Sequence, residues 1–530
     1  MSGNSVSSSS CYYNAFDLVN SAGETTLLPE HTPHTKNESN HNRTKKFSAK
    51  QKRKLACLIL FIVITLIIIV LFGIFLWIIY HQSLETFLPS EMTIHQSHTT
   101  TSTDQYTTDT QINSTIATTI ITSTDLPDIV PKRKVLFIVA DGIPADVIES
   151  VSLTHLKSIQ EIGSYTRAYV GGHLGTYSKT ATISSPGYMS LLTGTWGNKH
   201  NVYDNYVRKP NYNYKNIFRL IKEQQSQKTI GIFSTWTKNR LKLIGEGLEN
   251  AGNISFDYKF DGYELDRVTY PHDKKSLYIY NIDQRVTNET AQCIRTYSPD
   301  VSWVYLQYTD DIGHYYGDSQ QLNQSIISLD DQIGRIWNSI EYRIKSFNED
   351  WLVLITTDHG RDPKTGRHHA GQTDRERTTW IITNSQQMNN YFHDYQPGIV
   401  DILPTILRFM NITIPIESQR ELDGISMIGQ VSLIQPVIYL DNDKLNISWT
   451  PLDSIGNVTI WISTTNFYKK GISDEYQLID IVPVHQMTTL VDIQDYPSQF
   501  YKIVLEGQYN TVNQWIFRKS NSNKTATLSA

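Results

Sequence analysis

The sequence predicts an α/β protein: a mostly parallel central sheet flanked by helices, with a single transmembrane helix before it and a small β-sandwich after it. Three observations carry that reading. Residues 131–432 alternate apolar runs with amphipathic stretches, the pattern of strands and helices in a parallel sheet. Residues 55–80 hold no charge and outlast the roughly 20 residues that cross a bilayer. Residues 433–520 break into short alternating runs divided by Asp, Gly, Asn and Pro clusters, as in an immunoglobulin- or fibronectin-like sandwich.

Taken in order, residues 1–54 are polar, without hydrophobic periodicity, and read as a disordered tail. That tail ends in Arg43, Lys45, Lys46, Lys50, Lys52, Arg53 and Lys54, which the positive-inside rule places in the cytoplasm. The apolar run is too long and too far from Met1 for a cleaved signal peptide, and no small-residue cleavage pattern follows it. The expectation is a single-pass type II membrane protein anchored in the bilayer by residues 55–80, with the chain that follows extracellular or lumenal. Residues 81–130 are dominated by Ser and Thr and read as a solvated or O-glycosylated stalk. Eight sequons, at Asn113, Asn253, Asn288, Asn323, Asn411, Asn446, Asn457 and Asn523, fall on the outer side. Of three cysteines only Cys293 lies there, which rules out an internal ectodomain disulfide. A formal charge of -5 over 530 residues argues against a nucleic-acid duplex as partner.

Three apolar runs within residues 131–432, Lys134–Ala140, Val301–Tyr308 and Trp351–Thr356, read as buried strands. Each is followed by a carboxylate: Asp141, Asp310 and Asp358. Open α/β sheets carry their sites at these carboxyl ends. Leu322, Ile326, Leu329, Ile333, Ile336 and Ile340 recur at helical spacing and form one apolar stripe, and Gly398–Phe409 reads as a second, buried helix. The sandwich runs begin at Leu445, Val458, Tyr476, Thr488 and Phe500, and residues 521–530 form a short tail.

Asp310 and His314 stand four residues apart across a turn containing Gly313, and Asp358 and His359 are adjacent at a strand end. Mixed carboxylate and imidazole donors suit zinc or a similar divalent metal better than calcium or magnesium. An isolated Asp/His pair is more often a surface hydrogen bond; three strand-end carboxylates with two histidines shift that balance. Ser184-Ser185-Pro186-Gly187 opens an apolar stretch, where a hydroxyl is either a nucleophile at a helix N-terminus or an ordinary cap.

The ordered set Asp141-Gly142, Ser184 to Gly187, Leu191-Leu192-Thr193-Gly194, His200, Asn205, Asp310 to His314, Asp358-His359-Gly360 and Gly366 to Gly371 resembles the alkaline phosphatase superfamily. Its closest likeness is to the nucleotide pyrophosphatase/phosphodiesterase branch, over about residues 132 to 430 and including Asp401 to Thr405 and Asp423-Gly424. The resemblance implies an alkaline-phosphatase-like fold with two zinc ions. One would be held by Asp141, Ser184, Asp358 and His359, and the other by Asp310, His314 and His369. Ser184 would be the catalytic nucleophile, with Ser185 and Thr182 as alternative registers. His368, Asp311 and Asp362 are bystanders in this reading, while His200 and Asn205 either line the site or shape a local turn. The family's Thr-x-Pro-Asn is replaced by Ser-Ser-Pro-Gly, so Gly187 lacks the amide that would hold a phosphoryl oxygen.

The function so implied is a membrane-anchored hydrolase of phosphodiester or pyrophosphate bonds working through a serine phosphoryl-enzyme. Its partner would be a small molecule such as a nucleotide or a lipid headgroup; no oligomeric state is implied. Phosphomonoester hydrolysis is the nearest alternative, and an inactive adhesion or receptor ectodomain is the alternative of another class. A sulfatase is disfavoured because no Cys or Ser lies in a C/S-x-P-x-R pattern.

Overall fold

The computed structural model describes residues 130–518. The expected tail, membrane helix and stalk before residue 130, and the terminal tail, lie outside the described residues. Among the described residues no helix is long and apolar enough to cross a membrane.

The catalytic region is built on a seven-stranded sheet of β1 (Lys132–Ala140), β2 (Ser164–Tyr169), β3 (Ile230–Ser234), β4 (Tyr258–Phe260), β5 (Val301–Leu306), β6 (Glu349–Thr356) and β7 (Thr378–Thr383), in the order β2-β7-β6-β1-β5-β3-β4. β6, β1, β5, β3 and β4 run parallel, and β7 is antiparallel to both of its neighbours. β1 therefore lies between β5 and β6, with Ala140 opposite Leu306 and Val139 opposite Thr356. Neighbouring strands lie about 4.8 Å apart, so this order brings the ends that precede Asp141, Asp310 and Asp358 side by side. Alternation along β1 sends Val135, Phe137 and Val139 to one core and Leu136, Ile138 and Ala140 to the other.

The helices that matter for the site are α1 (Ser184–Thr193), α2 (Leu277–Thr296), α3 (Tyr308–Tyr316), α4 (Gln320–Phe347), α5 (Asp374–Arg377) and α6 (Ile402–Phe409). The six apolar residues from Leu322 to Ile340 are all buried on α4, whose first turn is capped by Ser319. The segment from Gly398 is one 3₁₀ turn, Ile399–Asp401, followed by α6. β5 stops at Leu306, two residues short of the run expected from sequence. There the Asp283 carboxylate on α2 accepts the backbone N–H groups of Gln307 (3.1 Å) and Tyr308 (2.8 Å), which draws the chain out of the ladder and starts α3.

Beyond the sheet stand two antiparallel sheets. β8 (Leu433–Asp441), β9 (Lys444–Pro451) and β12 (Thr488–Asp492) form one; β10 (Asn457–Ser463), β11 (Gln477–Pro483), β13 (Phe500–Glu506) and β14 (Thr511–Phe517) form the other. β8 and β14 were not among the expected strands. Pro436 interrupts β8, and Asn513 and Gln514 make β14 look polar, although Asn513 bridges to the catalytic region and Gln514 Oε1 accepts Ile438 N–H at 3.1 Å. Leu433, Ile447, Ile460 and Ile503 share a continuous core with Val135, Phe137 and α6. A buried ionic network crosses the same boundary: Lys199 binds Asp423 (2.6 Å) and Asn513 (2.9 Å), and Lys502 binds Glu421 (2.5 Å) and Asp474 (2.6 Å).

Candidate metal centre

Asp141 is the first residue past β1 and is buried. Its Oδ2 accepts the hydroxyls of Tyr188 and Tyr305, the latter at 2.6 Å, and Oδ1 has no hydrogen-bond partner. Gly142 follows at φ +68°, in the left-handed region that favours glycine. Its N–H donates to Asp358 Oδ1 at 3.0 Å, tying the β1 and β6 ends together.

Asp358 and His359 are fully buried beyond β6. His359 Nδ1 faces the Gly360 carbonyl at 3.0 Å; a carbonyl only accepts, so Nδ1 carries the proton and Nε2 keeps a lone pair. That Nε2 lies 3.3 Å from Asp358 Oδ2 and 3.5 Å from Asp141 Oδ1. All three atoms are buried without a hydrogen-bond partner among the described residues, a combination that natural interiors rarely leave unsatisfied.

Asp310 and His314 sit on one face of α3, one helical turn apart, with Asp310 Oδ2 3.3 Å from His314 Nε2. This corrects the expectation of a turn around Gly313, which lies inside the helix. A Cβ on Gly313 would meet the Arg361 guanidinium carbon at 2.2 Å, so glycine is there for room. His369 Nδ1 donates to the Thr182 carbonyl at 2.8 Å, turning Nε2 toward His314 Nε2 at 3.1 Å and Asp310 Oδ1 at 4.0 Å. Asp141, Asp358 and His359 form one donor cluster and Asp310, His359 and His369 another, with the donor atoms in each within 4.8 Å of one another. His314 adjoins the second.

Burial and the neighbouring carboxylates of Asp358 and Asp310 push Asp141 well above the usual carboxylate range. Burial, then Asp310, raises Asp358 to about 6. Burial lowers His359 to about 4, and burial with His359 lowers His369 to about 3, so both rings are neutral donors at pH 7. Burial acts upward on Asp310 as well, but His314 and Arg361 outweigh it and hold it well below the usual range.

Arg361 was not singled out from sequence. It is fully buried, and its guanidinium reaches Gly142 O (2.8 Å), Asp310 O (2.8 Å) and Asp310 Oδ1 (2.5 Å). Its position directly after Asp358-His359-Gly360 was the available signal. Tyr188 and Tyr305 offered none, because an inward tyrosine reads as ordinary core.

Ser184 opens α1 and is 7% exposed, whereas Ser185 is fully buried with an unpartnered hydroxyl. The Thr182 hydroxyl donates to Gly371 O (3.0 Å) and accepts Ala370 N–H (3.0 Å). A Cβ at Gly187 would lie 2.9 Å from Asp358 O, so α1 packs too tightly on the β6 end to admit a side chain at 187. Asn205 reaches the same helix terminus, where its Oδ1 accepts Ser185 N–H at 2.9 Å. His200 lies in the core, with Nε2 3.1 Å from Ser190 Oγ and Nδ1 accepting Val202 N–H at 3.1 Å. His368 and Asp311 stand outside both clusters. Asp362 accepts backbone N–H groups from Lys364 to His368 and shapes the loop before His369.

A mostly parallel sheet with carboxylate and imidazole donors gathered beyond its central strand ends is consistent with an alkaline-phosphatase-like fold. Residues 135–375 match the family described as type I phosphodiesterase / nucleotide pyrophosphatase. That match spans less than half of the chain; it supports the resemblance to the nucleotide pyrophosphatase/phosphodiesterase-like branch and an enzyme of the phosphoric ester hydrolase or transferase type.

Among curated proteins the chain is similar to GPI ethanolamine phosphate transferase 2 of Schizosaccharomyces pombe, 23% identical over 306 residues. That match covers 53% of this chain and only 37% of the relative's length. Among solved structures, human ectonucleotide pyrophosphatase / phosphodiesterase 5 is 14% identical with a TM-score of 0.37, covering 53% of this chain and 96% of that one. Phosphonoacetate hydrolase from Sinorhizobium meliloti is 16% identical with a TM-score of 0.32, covering 44% and 58% respectively.

Proposed function

We propose that the protein is a two-zinc hydrolase of phosphodiester or pyrophosphate bonds, with Ser184 as nucleophile. The observation that carries this is the set of three buried, unpartnered donor atoms, Asp141 Oδ1, Asp358 Oδ2 and His359 Nε2, within contact of one another. Uncompensated carboxylates at this depth are costly without a cation. Asp141, Ser184, Asp358 and His359 would hold one ion, and Asp310, His314 and His369 the other. When bound, the ions supply positive charge that lowers the pKa of an oxygen nucleophile and stabilises charge developing on phosphorus oxygens.

Ser184 Oγ attacks phosphorus; the Oγ–P bond forms, the bond to the leaving oxygen breaks and the hydroxyl proton is released. Water then attacks the phosphoserine and restores Ser184. Among the three candidate hydroxyls, Ser184 is favoured because Ser185 is sealed in and Thr182 is committed to the His369 loop. Asn205 would take the part that Gly187 cannot play: its oxygen accepts Ser185 N–H at the α1 N-terminus, which leaves its amide N–H groups to hold a phosphoryl oxygen. Transfer to an acceptor hydroxyl in place of water is the second reading, favoured by the name of the fission-yeast relative, an ethanolamine phosphate transferase. Anchoring through residues 55–80, with the catalytic region extracellular or lumenal, completes the proposal. All six sequon asparagines among the described residues, Asn253, Asn288, Asn323, Asn411, Asn446 and Asn457, are exposed, which supports that side.

Metal analysis combined with a matched substrate pair tests the reading. The purified protein should carry close to two zinc equivalents, Asp358→Ala should lose metal and activity together, and kcat/KM should be higher for a bis-aryl phosphodiester than for its monoester. Full activity in chelator would end the metal assignment, and a tenfold preference for the monoester would make the enzyme a phosphatase.

A further inference from the structure

One cavity among the described residues lies apart from the metal centre. It measures about 630 Å³, within the range typical of small-molecule sites, and lies between the catalytic sheet and the C-terminal sheets. None of the seven donor candidates lines it. Tyr169 at the end of β2, His173 in the following loop and Arg377 at the end of α5 line one side; Pro436, Val437 and Gln514 line the other.

Arg377 is the unusual member. Its Nη2 donates to Gly172 O at 2.6 Å, Nε is buried without a partner, and no carboxylate among the described residues pairs with it. Arg375, two residues earlier, pairs with both Asp146 and Asp318, and Arg361 pairs with Asp310. A secluded guanidinium left unpaired is a strong pointer to an anionic ligand. The Tyr169 hydroxyl and the His173 ring make no hydrogen bond among the described residues either. Burial raises the Tyr169 hydroxyl and lowers the His173 imidazole, so at neutral pH one is a protonated donor and the other a neutral ring with one N–H. Of the acidic residues lining the cavity, Asp423 is neutralised by Lys199 at 2.6 Å and Asp374 stands exposed.

We propose that this cavity binds a phosphate group through Arg377, Tyr169 and His173. Donors from three separate elements suit a tetrahedral oxyanion better than a planar carboxylate, which one guanidinium fork already satisfies. The site adjoins the metal centre: a Cβ on Gly171 would lie 3.4 Å from Arg377 Cγ and 3.3 Å from Thr182 Cγ2, and the Thr182 carbonyl holds His369. The phosphate comes either from a second phosphoryl group on the substrate or from free phosphate in solution. The first source rests on the proposed reaction and the second does not.

Titration of the zinc-loaded full-length protein with inorganic phosphate separates the two sites. Wild type should bind two equivalents. Arg377→Gln should lose one and keep the other, while Asp358→Asn, which damages only the metal centre, should keep the Arg377 equivalent. Tyr169→Phe and His173→Gln should each weaken that equivalent three- to tenfold, which keeps the test decisive if Arg377→Gln folds poorly. Kinetics then identify the source. A tenfold rise in KM in Arg377→Gln for a diester carrying a second phosphate, with bis(4-nitrophenyl) phosphate unaffected, marks a substrate-borne group; unchanged KM for both marks free phosphate. Equal phosphate stoichiometry in wild type and Arg377→Gln, or no effect of Tyr169→Phe and His173→Gln, overturns the proposal.

Discussion

Arg361 couples the ends of three elements through one side chain: Gly142 after β1, Asp310 on α3 and its own segment after β6. Removing one partner of a buried ion pair typically costs about 3 kcal/mol or more, because the other charge stays behind. Arg361→Met is therefore expected to lower stability by about that much, read by urea unfolding, and to weaken metal retention at Asp310. Gly313→Ala should reproduce the effect without touching a charge, since its methyl would occupy the guanidinium's place; a Gly313→Ala protein with wild-type stability and metal content would disprove the packing argument. At the proposed nucleophile, Ser184→Ala should cut turnover on the order of a thousandfold while Ser185→Ala leaves substantial activity. The reverse pattern in steady-state assays would move the nucleophile by one residue.

α1 carries Ser184 at its start, and its position is maintained from below by His200, whose ring bridges Ser190 on the helix and the Val202 backbone. Burial lowers this imidazole to about 3, below its ordinary value of about 6.5. The unfolded chain therefore binds the proton more readily than the folded one. The contribution is fully present above pH 6.5 and is lost as pH falls toward the folded value, roughly 2 kcal/mol of it by pH 5. Protonation would also turn Nδ1 into a donor facing the Val202 N–H. Urea unfolding at pH 7 and pH 5 should show a smaller loss of stability in His200→Gln than in wild type; parallel pH dependence in the two proteins would remove His200 from this role. The strand ends were legible because apolar runs stop at carboxylates. The start of α3 was not, since it depends on Asp283, which lies on α2 more than twenty residues earlier.

At the scale of the molecule, the two donor clusters hold the ends of β1, β6 and α3 around one point, so cation binding should stabilise the whole catalytic region. A ligand that binds only the folded state adds about 2.7 kcal/mol per site at a hundred times its Kd. Zinc addition to chelated protein is expected to raise Tm in a concentration-dependent way, and Asp358→Asn should blunt the rise. A Tm indifferent to zinc and chelator would show that the clusters do not take up the ion. The C-terminal sheets share a core with the catalytic sheet and are joined to it by the Lys199 hydrogen bond to Asn513 and the Lys502–Glu421 ion pair, so they are a fixed wall of the molecule.

Much about this protein was determined by the sequence alone: the α/β alternation, the carboxylate after each of three apolar runs, and the ordered ligand motif. These are local properties of residue type and spacing, set by strand and helix periodicity. Only the tertiary structure decided that β1 lies between β5 and β6, that Arg361 rather than solvent faces Asp310, that Asn205 reaches the α1 terminus from twenty residues away, and that Arg377 pairs with no carboxylate among the described residues. Each depends on which elements become neighbours, a choice made by burial of the two core faces together, which no local pattern encodes.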